Sequence, residues 1–424
     1  MGPRPLALHL GLSALRGWTA LAALPPRSSP SCSHDWTAWS GAWPVSTAGR
    51  KEARRLLDAL DASGFGAADL AAAVGQRLLI EDAALVHGLA RYRRHPRPAL
   101  PPEPPVLWRE GASRLLDYAP GASAGPRLLV VPSLVNRARV LDLLPERSML
   151  RWLAAQDTRP LLLDWGMPGE AERAMDLSAF TAGRLERALR AVDGPVVMLG
   201  YCMGGLLALA AALRQPERVQ GLALLATPWD FWVGAPSQGK EPGDASEGGA
   251  GAASRGLAAL LPVLEPLLAA TGTLPVDVIQ SLFASLDPFS IARKFRRFGR
   301  LAEGSPQLRH FVALEDWLND GVPLPAPVAR ECLGGWYGRN TPARGEWRIA
   351  GEVVSPRRLE IPAFVAVPHR DRIVPPASAR ALAAALPRAV LHETPAGHIG
   401  MAAGGRAEAA LWRPLRQWMA TLPG

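Results

Sequence analysis

The stretch Val196-Val-Met-Leu-Gly-Tyr-Cys-Met-Gly-Gly-Leu-Leu-Ala-Leu-Ala-Ala-Ala212 constrains this chain more than any other. Its first four residues are apolar and read as a buried strand. Gly200-Tyr-Cys-Met-Gly204 reads as a sharp turn, and Gly205 to Leu213 as an Ala/Leu-rich helix. A strand–turn–helix of this kind presents the residue at its apex, here Cys202, as an exposed nucleophile. Gly200 and Gly204 leave out Cβ atoms where strand and helix pass closest, and a thiol at a helix N-terminus meets the positive end of the helix dipole, which favours thiolate. Taken alone, the same five residues also describe a tightly packed turn with an inert Cys, so the rest of the chain has to decide.

The 424 residues are 48% hydrophobic, enough for two average domains or one large α/β domain with insertions. Residues 1–24 are apolar but broken by Arg4, His9 and Arg16, too short a run to span a bilayer. They read equally as an interfacial amphipathic helix and as a docked core helix, and less well as a cleaved export signal. A Ser-rich linker follows at 28–33, then helical periodicity over 47–93 and a proline-rich tether, His95 to Pro105. The expected division is a helical N-terminal region, 1–104, and a catalytic domain, 105–424.

Beyond the tether, short apolar runs alternate with helical patterns. A leading hairpin is expected near Val106 and Arg114, then a strand at Arg127–Val131, a helix from Leu143 to Gln156 and a strand from Pro160 to Trp165. A helix from Leu177 to Val192, the elbow and a strand at 221–226 follow. Continuously apolar strands separated by helices imply a mostly parallel sheet covered on both faces. The alternation then breaks. Residues 235–255 are low in complexity and read as a flexible loop, inside a mainly helical insertion at about 229–346 that reads as a cap. The sheet resumes at Ile361 and ends with a strand at 389–394.

Catalytic groups in such sheets gather beyond the carboxyl ends of the strands. Cys202, Asp371 and His398 each follow a strand, in the order nucleophile, acid, histidine. His398 would take up the thiol proton or bind the thiolate as imidazolium, Asp371 would orient the ring, and the Met203 N–H would donate to an oxyanion, with a second donor from Leu134 or Val135. Asp164 and Asp230, which also end strands, read as turn or cap residues. His392 reads as packed, and Cys332 as a small buried residue of the cap. The formal charge of +9 favours anionic partners. With no basic stripe interleaved with aromatics, no zinc-ligand spacing and no helix–turn–helix, nucleic acid is not expected. Three cysteines make no disulfide framework and fit a reducing cytosol.

Several stretches together resemble the polyhydroxyalkanoate synthases, which use an α/β-hydrolase fold. They are Val130-Val-Pro-Ser-Leu-Val-Asn136, Ser148-Met-Leu-Arg-Trp-Leu153, Leu163-Asp-Trp-Gly166, Gly200-Tyr-Cys-Met-Gly-Gly205, Ala226-Thr-Pro-Trp-Asp230, Asp287-Pro-Phe-Ser290, Asp371-Arg-Ile-Val-Pro375 and Gly397-His-Ile-Gly400. The resemblance covers about residues 105–424. It implies a metal-free, cofactor-free acyltransferase that polymerises (R)-3-hydroxyacyl-CoA thioesters through Cys202, with Asp371 and His398 as its partners. It further implies a cytoplasmic protein whose residues 1–24 touch a polymer granule or membrane surface, working as a homodimer or with a second synthase subunit. Arg372 stands where the family usually has His, and Leu206 where it often has Thr. The rival reading is a Cys-dependent hydrolase: a thioesterase, a dienelactone-hydrolase-like enzyme or a polyester depolymerase.

Overall fold

Eight strands build the main sheet: Val106–Glu110 (β1), Ser113–Asp117 (β2), Arg127–Val131 (β3), Arg159–Asp164 (β4), Val196–Tyr201 (β5), Val219–Leu225 (β6), Ala363–Pro368 (β7) and Ala389–Thr394 (β8). The computed structural model describes residues 2–22, 24, 47–121, 125–233 and 251–423. Strand order is β1-β2-β4-β3-β5-β6-β7-β8. β2 pairs antiparallel with β1 and β4, and all other pairs are parallel. This is the expected α/β-hydrolase fold.

The continuous apolar runs are explained by burial on both faces of the sheet. Leu129, Val131, Met198, Leu222 and Val365 pack into one core, whereas the alternate residues Leu128, Val130, Val197, Leu199 and Phe364 pack into the other. Neither side of these strands can be polar, so period-two alternation is absent from the sequence. Parallel register then lines up the strand ends: Tyr201 lies opposite Leu225, Leu225 opposite Ala366, and Pro368 opposite Thr394. The loops that follow β5, β7 and β8 therefore emerge along one edge.

Two compact units divide the chain. The smaller draws on Met1–Pro96 and Asp287–Phe311. It contains the helices Leu6–Ala22 (α1), Thr47–Ser63 (α2) and Ala67–Arg94 (α3), together with Ser290–Phe298. Tyr92 sits edge-on to Phe295, Phe298 and Phe311. Gly88 lets Ser290–Phe298 approach, since a Cβ there would lie 2.1 Å from the Phe295 carbonyl oxygen. α1 docks on α3 through its polar side: Ser13 Oγ donates to Asp82 at 2.7 Å, and Arg16 pairs with Glu81. Its apolar residues Leu15, Trp18 and Leu21 are exposed. The larger unit holds the sheet. Asp287–Phe311 was expected within the cap at 229–346 but falls in the smaller unit.

Two expectations change at element boundaries. Asp142–Leu144 and Arg147–Ser148 form a small antiparallel hairpin, so the helix expected from Leu143 begins only at Met149. Ser148 caps it, accepting from the Arg151 N–H at 3.0 Å. Residues 252–255 are not loop: they open the helix Ala252–Ala258, which Gly251 precedes. The remainder of the 235–255 segment, and the linker at 28–33, lie outside the described residues. Among the described residues no helix is long and apolar enough to cross a membrane.

Candidate active site

The elbow is held by close backbone packing. A Cβ at Gly200 would lie 2.3 Å from the Gly205 Cα, and one at Gly205 would lie 1.9 Å from Thr227 Oγ1. A Cβ at Gly204 would meet the carbonyl oxygens of Val131 and Pro132 at 2.2 and 2.5 Å. The turn and the loop after β3 thus fit only if these positions carry no side chain. Cys202 takes the strained conformation φ 56°, ψ −126°, held in place by its N–H donating to the Leu225 carbonyl at 2.8 Å. It precedes the helix Met203–Arg214 and is half-buried.

Asp371 and His398 meet at the edge where β7 and β8 end. His398 Nδ1 and Asp371 Oδ2 are 2.7 Å apart, and the Asp371 side chain is fully enclosed. The other carboxylate oxygen, Oδ1, accepts from the Ile373 and Val374 N–H groups at 2.8 and 2.9 Å. Asp371 is therefore fixed from both sides and aimed at the imidazole. Tyr201 braces the histidine: its hydroxyl donates to the His398 carbonyl at 3.2 Å, and the two rings lie 5.2 Å apart. Tyr201 sits inside the elbow motif, yet nothing in that pattern marks it as the brace of a histidine that lies 197 residues further on.

Burial alone would lower the basicity of His398, but Cys202 and Asp371 oppose it and carry the ring up to about 10. A basic group raised in this way stabilises the fold fully below its ordinary value of 6.5, and loses that contribution as pH climbs toward about 10. The melting temperature of His398→Gln should therefore fall furthest below wild type near pH 6 and converge with it on approaching pH 10. A difference independent of pH would show that no raised charge is held there.

Cys202 and His398 line one cavity of about 340 Å³. Its other walls are mostly apolar and aromatic, including Phe231, Phe283, Trp317, Trp336 and Tyr337. Met203 lines it as well, and its N–H belongs to a first helical turn, where no intrahelical acceptor exists. Of the two expected second donors, Leu134 turns its side chain into the core. The Val135 N–H donates to Ser133 Oγ at 3.2 Å and is already engaged. Cys332 is buried, as expected, but it also lines the cavity. Burial raises its thiol well above the ordinary range. Arg372 is exposed at the rim.

The residues read as bystanders have structural partners. Asp164 accepts from the Gly166 N–H at 3.1 Å and from Arg114 at 2.7 Å. Asp230 accepts from the Trp232 N–H and the Asn340 side chain at 2.9 and 2.8 Å, and it too lines the cavity. His392 bonds the Ala410 carbonyl at 2.7 Å and stacks on Phe364. Among the described residues no group of three or more His, Cys, Asp or Glu side chains is placed to hold a metal ion.

A family profile for the alpha/beta hydrolase fold matches residues 126–241. Similar curated proteins are poly(3-hydroxyalkanoate) polymerase subunits. That of Allochromatium vinosum is 28% identical, over 72% of this chain and 82% of its own length. That of Haloferax mediterranei is 26% identical, over 74% of this chain. The match spans only 63% of the Haloferax protein. Among solved structures, the enol-lactonase from Burkholderia xenovorans aligns over 75% of this chain and all of its own, with 16% identity and a TM-score of 0.44.

Proposed function

The chain is an α/β-hydrolase-fold relative of the poly(3-hydroxyalkanoate) polymerases, and from that premise we propose that it polymerises (R)-3-hydroxyacyl units from coenzyme A thioesters, carrying the acyl group on Cys202. The reading is supported chiefly by the His398–Asp371 bond of 2.7 Å beside a half-buried thiol, with Cys202 and His398 lining one largely apolar cavity.

In this reading the resting site holds Cys202 thiolate against protonated His398. The sulfur attacks the thioester carbonyl, and the oxyanion is met by the Met203 N–H. The Leu134 N–H supplies the second donor, or the Val135 N–H after releasing Ser133 Oγ. Collapse expels the coenzyme A thiolate, which takes the proton from His398 and leaves as a thiol. Once Cys202 is acylated its negative charge is gone, so His398 becomes a neutral base. The hydroxyl of the next unit gives its proton to His398 and attacks the acyl-Cys202 thioester. An ester forms, and the thiolate–imidazolium pair returns. Asp371 holds the Nδ1 proton throughout, presenting Nε2 to the reacting atoms.

Water is the competing acceptor, and an apolar cavity wall disfavours it. The chemistry asks for no cofactor beyond the coenzyme A carried by the substrate. To the same reading belong granule or membrane-surface contact through residues 1–24, whose Leu15, Trp18 and Leu21 face outward, and assembly as a homodimer or with a second synthase subunit.

Incubating the protein with (R)-3-hydroxybutyryl-CoA and identifying the products tests the proposal. Free coenzyme A together with insoluble polyester is the expected result. Free coenzyme A with monomeric hydroxy acid would instead assign a thioesterase, and no release would remove both.

A further inference from the structure

The main sheet has two edges, and an edge strand presents a row of backbone groups that another strand can pair. At one edge β1 is irregular: its pairing with β2 shifts between Val106 and Trp108, and Arg109 and Glu110 set charge along it. At the other edge β8 has no such shift and a single charged residue, Glu393, near its end. It pairs with β7 in unbroken parallel register, from Ala363 opposite Ala389 to Pro368 opposite Thr394. No strand lies on its outer side among the described residues. Val390 and Leu391 are 52% and 46% exposed. Neighbours in a strand point to opposite faces, so part of β8 is left bare on both faces of the sheet.

Two bonds fix which backbone groups of β8 point outward. The Ala363 N–H donates to the Arg388 carbonyl at 3.0 Å, and the His369 N–H to the Thr394 carbonyl at 2.9 Å. Even-numbered residues from 388 to 394 therefore turn their N–H and C=O toward β7, and Ala389, Leu391 and Glu393 turn theirs outward. Pro387 and Pro395, which have no N–H, stand at the next outward positions. An identical strand laid antiparallel about a two-fold axis through Leu391 meets all three: Leu391 pairs with Leu391 of the second copy, and Ala389 with Glu393 in both directions. Sliding the axis by one residue either way brings a proline into the bonded set. Charge agrees with this register. Glu393 falls opposite the small Ala389, not opposite a second acid, and Arg380 of its own chain already bonds it at 2.6 Å.

We infer that β8 is a self-association edge, where two copies of this chain join their sheets through antiparallel β8 strands centred on Leu391. The partner is a second copy because the edge is complementary to itself in hydrogen bonding, in apolar side chains and in charge. One strand from each copy makes a small interface, so the dimer is expected to form at micromolar concentration. The inference gives the homodimer a surface and is independent of the chemistry at Cys202.

Leu391→Lys tests it, because the side chain is exposed in the single chain and the change sets two like charges face to face at the axis. Analytical ultracentrifugation over about 1–100 μM should show wild type passing from one chain to two. Leu391→Lys should stay at one chain, with an unchanged melting temperature. Amide hydrogen exchange of wild type at the two ends of that range reads the surface itself. Exchange over 389–394 should slow at the higher concentration, and exchange over β1 should not. If Leu391→Lys melts lower, the exchange measurement on wild type decides alone. A wild type that remains monomeric, a dimer that survives in folded Leu391→Lys, or a dimer with unchanged exchange over 389–394 overturns the inference. The coenzyme A assay of the proposed function is unaffected by any of these results, so the two can fail separately.

Discussion

Cys202→Ala is expected to reduce coenzyme A release by roughly 10⁴-fold or more, to the level of the uncatalysed thioester, with the fold unchanged. The size follows from the role: without sulfur there is no acyl carrier, and His398 has no thiol to pair with. The fold should survive because Ala keeps the Cβ and meets the same backbone at φ 56°, ψ −126°. The strain is held by the Leu225 carbonyl bond and by the neighbouring glycines, not by the thiol. Circular dichroism and melting temperature serve as the check on folding. Residual turnover near the wild-type rate would move the chemistry elsewhere in the cavity, with Cys332 the first place to look.

Gly204→Ala should strongly destabilise the elbow. Its added methyl would lie 2.2 Å from the Val131 carbonyl oxygen and 2.5 Å from that of Pro132. Both are backbone atoms at the end of β3, so no side chain can swing aside, and helix and strand must separate. A loss of about 3 kcal/mol or more is expected, which for a domain of this size lowers the melting temperature by at least roughly 5 °C. Gly400→Ala is the matched control, since a Cβ there meets nothing within 4 Å. Equal melting temperatures for the two variants would contradict the packing described for the elbow.

The elbow was legible because its constraints are local: glycines at fixed offsets, an apolar strand before them and a helix after. The sheet was legible because strands buried on both faces must be apolar throughout, and Arg127–Val131 and Val196–Tyr201 are. Asp371 and His398 could be picked out because parallel register brings successive strand ends to one edge. The helix start at Met149 was readable but missed, since Pro145 and the capping Ser148 both signal a turn before it. The wall opposite the elbow was not readable. A helical pattern in the cap shows that Trp336, Tyr337 and Cys332 are buried, but not that they face a cavity instead of a packed neighbour. The partner of the Val135 N–H was equally hidden, since Ser133 two residues earlier takes it up through a local turn.

The claim that everything else leans on is that Cys202 carries the acyl group. Quenching the reaction with (R)-3-hydroxybutyryl-CoA in acid within its first turnover, then measuring the intact protein and its peptides by mass spectrometry, tests it directly. The account predicts one or more hydroxybutyryl units added to the peptide that contains Cys202, and no adduct in Cys202→Ala. Coenzyme A release at full rate with an unmodified Cys202 peptide would contradict it.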